Sequence, residues 1–286
     1  MKVTDKIKKM KKDLYVVLFS GGRTSAFLSK FIKENPRYKN VLFVFANTGK
    51  EREETLDFVH KCDKEFNLNV VWLEAKINKE KGKGTSYMIT DFKNAKRKGE
   101  PFEEMLSKYP MPNNMASNCT RELKQRPIDA YLRDNFKDYN IIRVIGIRAD
   151  EQHRKSNNAI NENIIYPLCD ELPIDSKFIR NWWDNQTFDL RLKDYEGNCD
   201  LCFKKSLKKR LTIIKENPNI ANWWEKMENK YSSETVPRFD LRTNKSVTEL
   251  KELAKNNFTK AEDLHKLSKQ QCSLFDFETD CFCKAN

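Results

Sequence analysis

Three short stretches of this 286-residue chain carry residue types whose spacing can do chemistry. Cys119 opens Cys-Thr-Arg-Glu-Leu-Lys-Gln-Arg-Pro, and Cys199 and Cys202 form a Cys-x-x-Cys pair within Gly-Asn-Cys-Asp-Leu-Cys-Phe-Lys-Lys. Two thiols at that spacing can grip one metal or cluster from a single turn, and a distant third cysteine completes a cup. Arg121, Lys124 and Arg126 beside Cys119 are expected to favour thiolate over thiol. Ligand type alone permits zinc or an iron–sulfur centre. Cys169, Cys272, Cys281, Cys283 or a non-protein group could supply a fourth ligand.

Far upstream, Ser20-Gly21-Gly22-Arg23-Thr24-Ser25 follows the apolar run Leu14–Phe19. A Ser-Gly-Gly turn between a buried strand and a helix exposes successive backbone N–H groups, and the helix N-terminus adds partial positive charge. Such a turn is a nest for phosphate, with Ser20, Thr24 and Ser25 offering hydroxyls and Arg23 a charge. The Walker pattern is absent, which argues against an ordinary P-loop ATPase. The competing structural reading is a glycine turn with a hydroxyl helix cap.

The elements that must position these residues follow from apolar patterning. Leu14–Phe19, Val41–Ala46, Val70–Leu73, Ile141–Ile147 and Ile164–Leu168 read as five short buried strands. Helical periodicity lies between them, after Thr24 and over 51–66. Alternating strands and helices predict an α/β fold with a doubly wound, mainly parallel, five-stranded sheet. In such sheets ligands gather at the carboxyl ends of strands. Ser-Gly-Gly, Asn47-Thr48-Gly49 and Gly146-Ile147-Arg148 all fall there. Residues 76–112 read as an excursion over the crevice, helical at 92–97 and 102–109. Helices are expected at 176–185, 204–216, 220–231, 247–255 and 260–268. The domains expected are a nucleotide-binding α/β part over 1–172, a helical cysteine-bearing part over 173–270 and a flexible tail over 271–286.

Lys and Arg exceed Asp and Glu by 54 to 42, a formal charge of +12 that suits an anionic partner, nucleotide or nucleic acid. No run approaches the roughly 18 apolar residues of a membrane span. The lysine-rich start lacks an apolar signal segment, so the reading is cytoplasmic, with no membrane partner. Eight cysteines in that setting argue for reduced thiols with a metal or redox task rather than a disulfide framework. The pairs Trp182-Trp183 and Trp223-Trp224 read first as helix packing and second as base-stacking platforms.

The order strand–SGGxxS–helix, strand–NTG, strand–GIR resembles the PP-loop (ATP pyrophosphatase) superfamily. More narrowly, the chain resembles the phosphoadenosine-phosphosulfate reductase-like family, including its phage-encoded members. It is also similar to the sulfur-inserting subunit of DNA phosphorothioation systems. The resemblance rests on SGGRTS at 20–25, NTGKEREET at 47–55, CTRELKQRP at 119–127, GIRADE at 146–151 and GNCDLCFKK at 197–205. It implies an enzyme of nucleotide-dependent sulfur chemistry that binds ATP or a related adenine nucleotide and adenylates or sulfur-modifies a substrate.

By position, Ser20, Gly21, Gly22, Thr24 and Ser25 would hold the terminal phosphates, Asn47 and Thr48 would border the adenosine, and Gly146 and Arg148 would close over ribose and phosphate. Ser20 and Arg148 are candidate catalytic residues. The resemblance further implies a 4Fe–4S cluster on Cys119, Cys199 and Cys202. Many members carry Asp where Thr24 stands, a carboxylate that would support Mg2+; Asp150 or Glu151 could supply one instead. Cys281 and Cys283 are candidate nucleophiles, although Asp276, Glu278 and Asp280 nearby would raise their pKa. Alternatives are a true phosphosulfate reductase, whose terminal Glu-Cys-Gly-Leu-His context is missing, and a non-catalytic nucleotide- or nucleic-acid-binding protein with a structural metal.

Overall fold

The computed structural model describes residues 11–80, 82–113, 117–197, 199–231 and 245–263. Its frame is one six-stranded sheet in the order β4-β3-β2-β1-β5-β6. The strands are β1 (Lys12–Leu18), β2 (Val41–Asn47), β3 (Val71–Lys76), β4 (Ser86–Thr90), β5 (Tyr139–Val144) and β6 (Ile164–Ile165). All neighbours pair in parallel except β4, which runs antiparallel on β3. The mainly parallel, doubly wound α/β architecture is the expected one, with one strand more than the five expected. The extra strand, β4, has the sequence Ser-Tyr-Met-Ile-Thr and sits at the sheet edge with Met88 and Ile89 exposed. It lacks the buried apolar run that marks the other strands.

β1 occupies the middle of the sheet because its residues are buried on both faces. Val17 and Phe19 join Phe43, Phe45 and Trp72 on one face. There they meet α1 (Arg23–Glu34), α2 (Glu53–Glu65) and α7 (Ser176–Asp184) through Leu28, Ile32, Leu56, Val59 and Trp183. Leu14 and Val16 join Val44, Ala46 and Leu73 on the other face, under Ile128, Tyr131 and Leu132 of α5 (Arg126–Asn135). The chain steps from β1 outward to β2 and β3, whereas β5 returns to the opposite side of β1. The strand order therefore reverses beside β1, the place where open α/β sheets bind ligands.

A second core joins α3 (Glu100–Leu106) to α8 (Leu207–Glu216), α9 (Ile220–Tyr231) and α10 (Val247–Lys255), with Trp224 at its centre. Trp183 and Trp224 are each 1% exposed, so both tryptophan pairs pack helices. Ile164–Leu168 contributes a two-residue strand followed by the short helix α6 (Pro167–Asp170). Residues 92–97 are turn rather than helix: Asp91 accepts hydrogen bonds from the amide and side chain of Asn94 and closes the chain locally. Residues 260–263 are not helical, and the rest of the helix expected over 260–268, the tail over 271–286 and Cys281 and Cys283 lie outside the described residues.

Gly99 shows how tightly the second core meets the first. Its φ is +88°, and a Cβ there would stand 2.5 Å from Trp223 Cζ2. Gly99→Ala combines a left-handed backbone with a rigid clash and is expected to destabilise the fold by about 2–4 kcal/mol. Urea unfolding should show a lower midpoint at unchanged slope.

Candidate functional site

The Ser-Gly-Gly turn leaves β1 and enters α1 with Gly21 at φ +79°. A Cβ on Gly21 would lie 2.6 Å from Thr55 Cγ2, so only glycine lets the turn sit down on α2. Gly22 differs: the nearest atom to a Cβ there is Ser20 Oγ at 3.9 Å, and the space above the turn is open. Ser25 Oγ accepts hydrogen bonds from the amides of Ser20 (3.2 Å) and Gly22 (3.3 Å) and donates to Gly22 O (2.9 Å). The hydroxyl thus holds the turn in shape, and the first N–H groups of α1 remain without intrahelical partners. No acidic residue stands in the first turn of α1 itself.

Arg148 comes to this turn from beyond β5. Its Nη1 donates to Thr24 Oγ1 at 3.0 Å, while Nε and Nη2 donate to the two oxygens of Asp150. Glu151 Oε2 is 3.3 Å from the same guanidinium. That pairing holds the Asp150 carboxyl below its usual range. Two carboxylates therefore stand one guanidinium away from Thr24. Gly146 lies against the start of α1, its Cβ position 3.5 Å from Ser25 Cα. Arg23 is engaged elsewhere: its guanidinium makes a two-pronged pair with Asp189 at 2.7 Å and donates to Leu190 O and Leu192 O. It fastens the 189–192 segment to α1 rather than pointing a free charge at the turn.

The loop after β2 is buried and occupied with internal bonds. Asn47 Nδ2 donates to Glu74 Oε1 and Lys96 O, and its Oδ1 accepts from the Gly49 amide. Thr48 donates from both N and Oγ1 to Glu51 Oε2, and its Oγ1 is 3.6 Å from Cys199 Sγ. Glu51 and Cys199 form a β-bridge. The Asn-Thr-Gly loop is thus the seat of the Cys-x-x-Cys turn, and Ala46 is the residue of this segment that reaches the cleft. Lys205 completes the turn by donating to the carbonyls of Gly197 and Cys199. Burial holds its pKa below the ordinary lysine value.

Cys119 lies in α4 (Asn118–Thr120), which continues through a π-helical turn (Arg121–Gln125) into α5. π-turns inside helices occur often at functional sites. Here the turn sets half-buried Lys124 among the thiols. Glu51 and the thiols of Cys199, Cys119 and Cys202 together raise the Lys124 pKa although burial opposes them. Glu51 Oε1, 3.6 Å from Lys124 Nζ, is buried without a hydrogen-bond partner. Arg121 and Arg126 instead clasp buried Glu122, which also accepts from Thr85. Consequently burial, with the charge of Cys202, raises the Cys119 pKa; Lys124 and Lys204 lower it by less. The thiolate expected from the flanking basic residues is not favoured in the free protein. Burial likewise pushes the Cys199 thiol up. No three His, Cys, Asp or Glu side chains among the described residues converge on a single-ion site. Cys169 is apart, donating to Ile147 O, and Cys62 is core.

A cleft of about 510 Å³ opens at the carboxyl ends of β1, β2 and β5, on the face covered by α5. Ser20 lines one part of it, Thr120 and Lys124 another, and Leu18, Val44, Ala46, Ile128 and Ile145 form an apolar wall. Asp129, Arg143 and Glu162 stand at its rim, residues with no motif to mark them in the sequence. Of the glycine turn Ser20 reaches this cleft, and of the Cys119 segment Thr120 and Lys124 do; Gly21, Gly22, Thr24, Ser25, Arg148, Cys119, Cys199 and Cys202 are not among its lining residues. No helix among the described residues is long and apolar enough to cross a membrane.

Residues 14–164 match the phosphoadenosine phosphosulfate reductase domain. The chain is 36% identical over 198 residues to the uncharacterised nin region protein ORF290 of Escherichia phage lambda, covering 68% of this chain and 67% of that protein. Two uncharacterised proteins of Methanocaldococcus jannaschii, MJ0066 and MJ0973, are 24% and 25% identical over 236 and 252 residues. These matches cover 78% and 83% of this chain but 43% and 53% of the archaeal proteins, so the chain spans about half their length. The chain belongs to the phosphoadenosine phosphosulfate reductase domain family.

Proposed function

We propose that this member of the phosphoadenosine phosphosulfate reductase domain family is an enzyme that binds ATP or a related adenine nucleotide in the cleft and performs sulfur chemistry at the adjoining thiols. The observation that carries this reading is the sharing of one cleft by Ser20 and the Thr120–Lys124 segment. The phosphates accept hydrogen bonds from the backbone of the Ser20–Ser25 turn, where the first turn of α1 itself carries no acidic residue. The base lies on the apolar wall of Leu18, Val44, Ala46, Ile128 and Ile145. Arg148, within reach of Thr24, exchanges part of its Asp150 pairing for a phosphate oxygen. Asp150 and Glu151 are the carboxylates at hand for Mg2+ where Thr24 replaces the acid. In the adenylating version, an oxygen of the second substrate attacks the α-phosphorus, forms a P–O bond and expels pyrophosphate. Fixed backbone donors stabilise the negative charge that develops there.

Cys119, Cys199 and Cys202 would hold an iron–sulfur cluster. The donor chemistry fits: the soft thiols of Cys199, Cys119 and Cys202 all act on the Lys124 ammonium, a cation able to offset a cluster's charge. The same thiols leave zinc as the alternative. Bound, such a cluster supplies an iron position open to sulfur. Lys124 offsets its negative charge, and Thr48 and Lys205 hold the Cys-x-x-Cys turn. The formal charge of +12 supports an anionic second substrate, nucleic acid included.

The test is turnover by anaerobically purified protein. Brown protein absorbing near 400 nm, with AMP and pyrophosphate formed from ATP, is the expected result. Thiol-dependent sulfite release from phosphoadenosine phosphosulfate would make it a phosphosulfate reductase instead. Neither turnover, with a colourless preparation, overturns the reading and leaves a binding protein.

A further inference from the structure

The loop after β2 and the Cys-x-x-Cys turn are joined by a buried ion pair that the chemistry above does not use. Lys50 is 8% exposed and Asp200, between Cys199 and Cys202, is 9% exposed. Lys50 Nζ lies 2.8 Å from Asp200 Oδ2 and 4.6 Å from the centre of the Trp223 ring. Asp200 Oδ1 accepts hydrogen bonds from Trp224 Nε1 at 2.7 Å and from the Leu201 amide at 2.8 Å. The Asp200 amide donates to Lys50 O at 2.9 Å, and the Glu51–Cys199 bridge continues the same seam. Gly99 leaves the slot for the lysine stem: a Cβ there would come within 2.9 Å of Lys50 Cδ.

Such a pair is a poor device for stability, because well-packed apolar residues of similar volume serve as well or better. What it supplies is orientation. An apolar plug would tolerate several settings of the Cys-x-x-Cys turn, whereas an ammonium, a carboxylate and an indole N–H satisfy one another in a single setting. Loss of one partner leaves a buried charge, which the turn relieves by opening toward water.

We propose that Lys50 is a positioning residue: through Asp200 it fixes the Cys199–Cys202 turn so that Cys199 faces Thr48 and Lys124. This deepens the reading of the three thiols as one working site, yet it concerns their arrangement whether or not they carry iron.

The test is the rate of iodoacetamide alkylation at each cysteine, read by mass spectrometry on the full chain as purified, for wild type, Lys50→Met and Asp200→Asn. Cys62, fully buried on α2 in the other core, is the internal reference. The expected result is a rise of about tenfold or more in Cys199 alkylation relative to Cys62 in both variants, the mark of local rather than global opening. A parallel rise at Cys62, or an unchanged Cys199, overturns the proposal. Should Lys50→Met fail to fold, Asp200→Asn decides alone, since its amide oxygen still accepts from Trp224. Wild-type protein without iron would sink the cluster reading, but the ratio of the two alkylation rates would still report on Lys50.

Discussion

Replacing Gly22 by valine is expected to lower adenine-nucleotide affinity about a hundredfold while the fold survives. The backbone at Gly22 is extended, with φ −98°, a conformation valine adopts readily. The space its side chain enters is the opening above the turn, where the nearest atom is 3.9 Å away. The branched side chain therefore occupies the place of the phosphate. Two charge-assisted hydrogen bonds lost at roughly 1.5 kcal/mol each give that factor. Calorimetric titration with ATP, beside a thermal melt, checks both halves. The neighbouring Gly21→Ala is the contrast: its Cβ meets Thr55 at 2.6 Å and its φ is positive, so that variant loses stability first. Unchanged ATP affinity in a folded Gly22→Val protein would remove the phosphate from the Ser-Gly-Gly turn.

Cys199→Ser is expected to lose bound iron and soluble yield together. Cys199 is buried against Thr48, Glu51 and Lys124, so its sulfur is both a proposed ligand and a packing atom. Metal binding of this kind is folding free energy, because the unfolded chain has no preformed site. A hydroxyl is a poor ligand for iron in place of a thiolate, and it brings an extra polar group to a buried pocket. Iron per chain and the soluble fraction, measured on the same anaerobic preparations, should fall in step. Full iron content in the serine variant would dismiss Cys199 as a ligand.

The sequence made the frame legible because β1, β2 and β3 are buried through much of their length and read as continuous apolar runs. Val41–Ala46 became Val41–Asn47, and the helix expected over 51–66 became Glu53–Glu65. β4 stayed hidden since an edge strand needs no such run, and its pairing with β3 is a long-range fact. The glycine turn from Ser20 to Ser25 was legible because an apolar run, two glycines and a helical period follow one another directly, and the structure puts it between β1 and α1. Asn47 and Thr48 were placed beside a nucleotide by their position after a strand. The Asn47 side chain bonds within its own surroundings, to Glu74, Lys96 O and the Gly49 amide, and Thr48 meets Cys199, a contact that depends on where a segment some 150 residues away folds back. The role of Arg23 was hidden for the same reason, since Asp189 lies far along the chain. Charge near Cys119 was visible, but its direction was not: Arg121 and Arg126 turn to Glu122, and burial sets the thiol.

The π-turn at Arg121–Gln125 has a mechanical consequence. It carries one more residue than an α-turn, so Cys119 and Lys124 are phased against Ile128 and Asp129 on the same unbroken rod. The element that walls the cleft at Ile128 is thus the one whose winding sets where Cys119 stands at its other end. Excising Gln125 is expected to restore regular winding and swing the tip by about 100°, carrying Cys119 away from its present phase against Ile128 and Asp129.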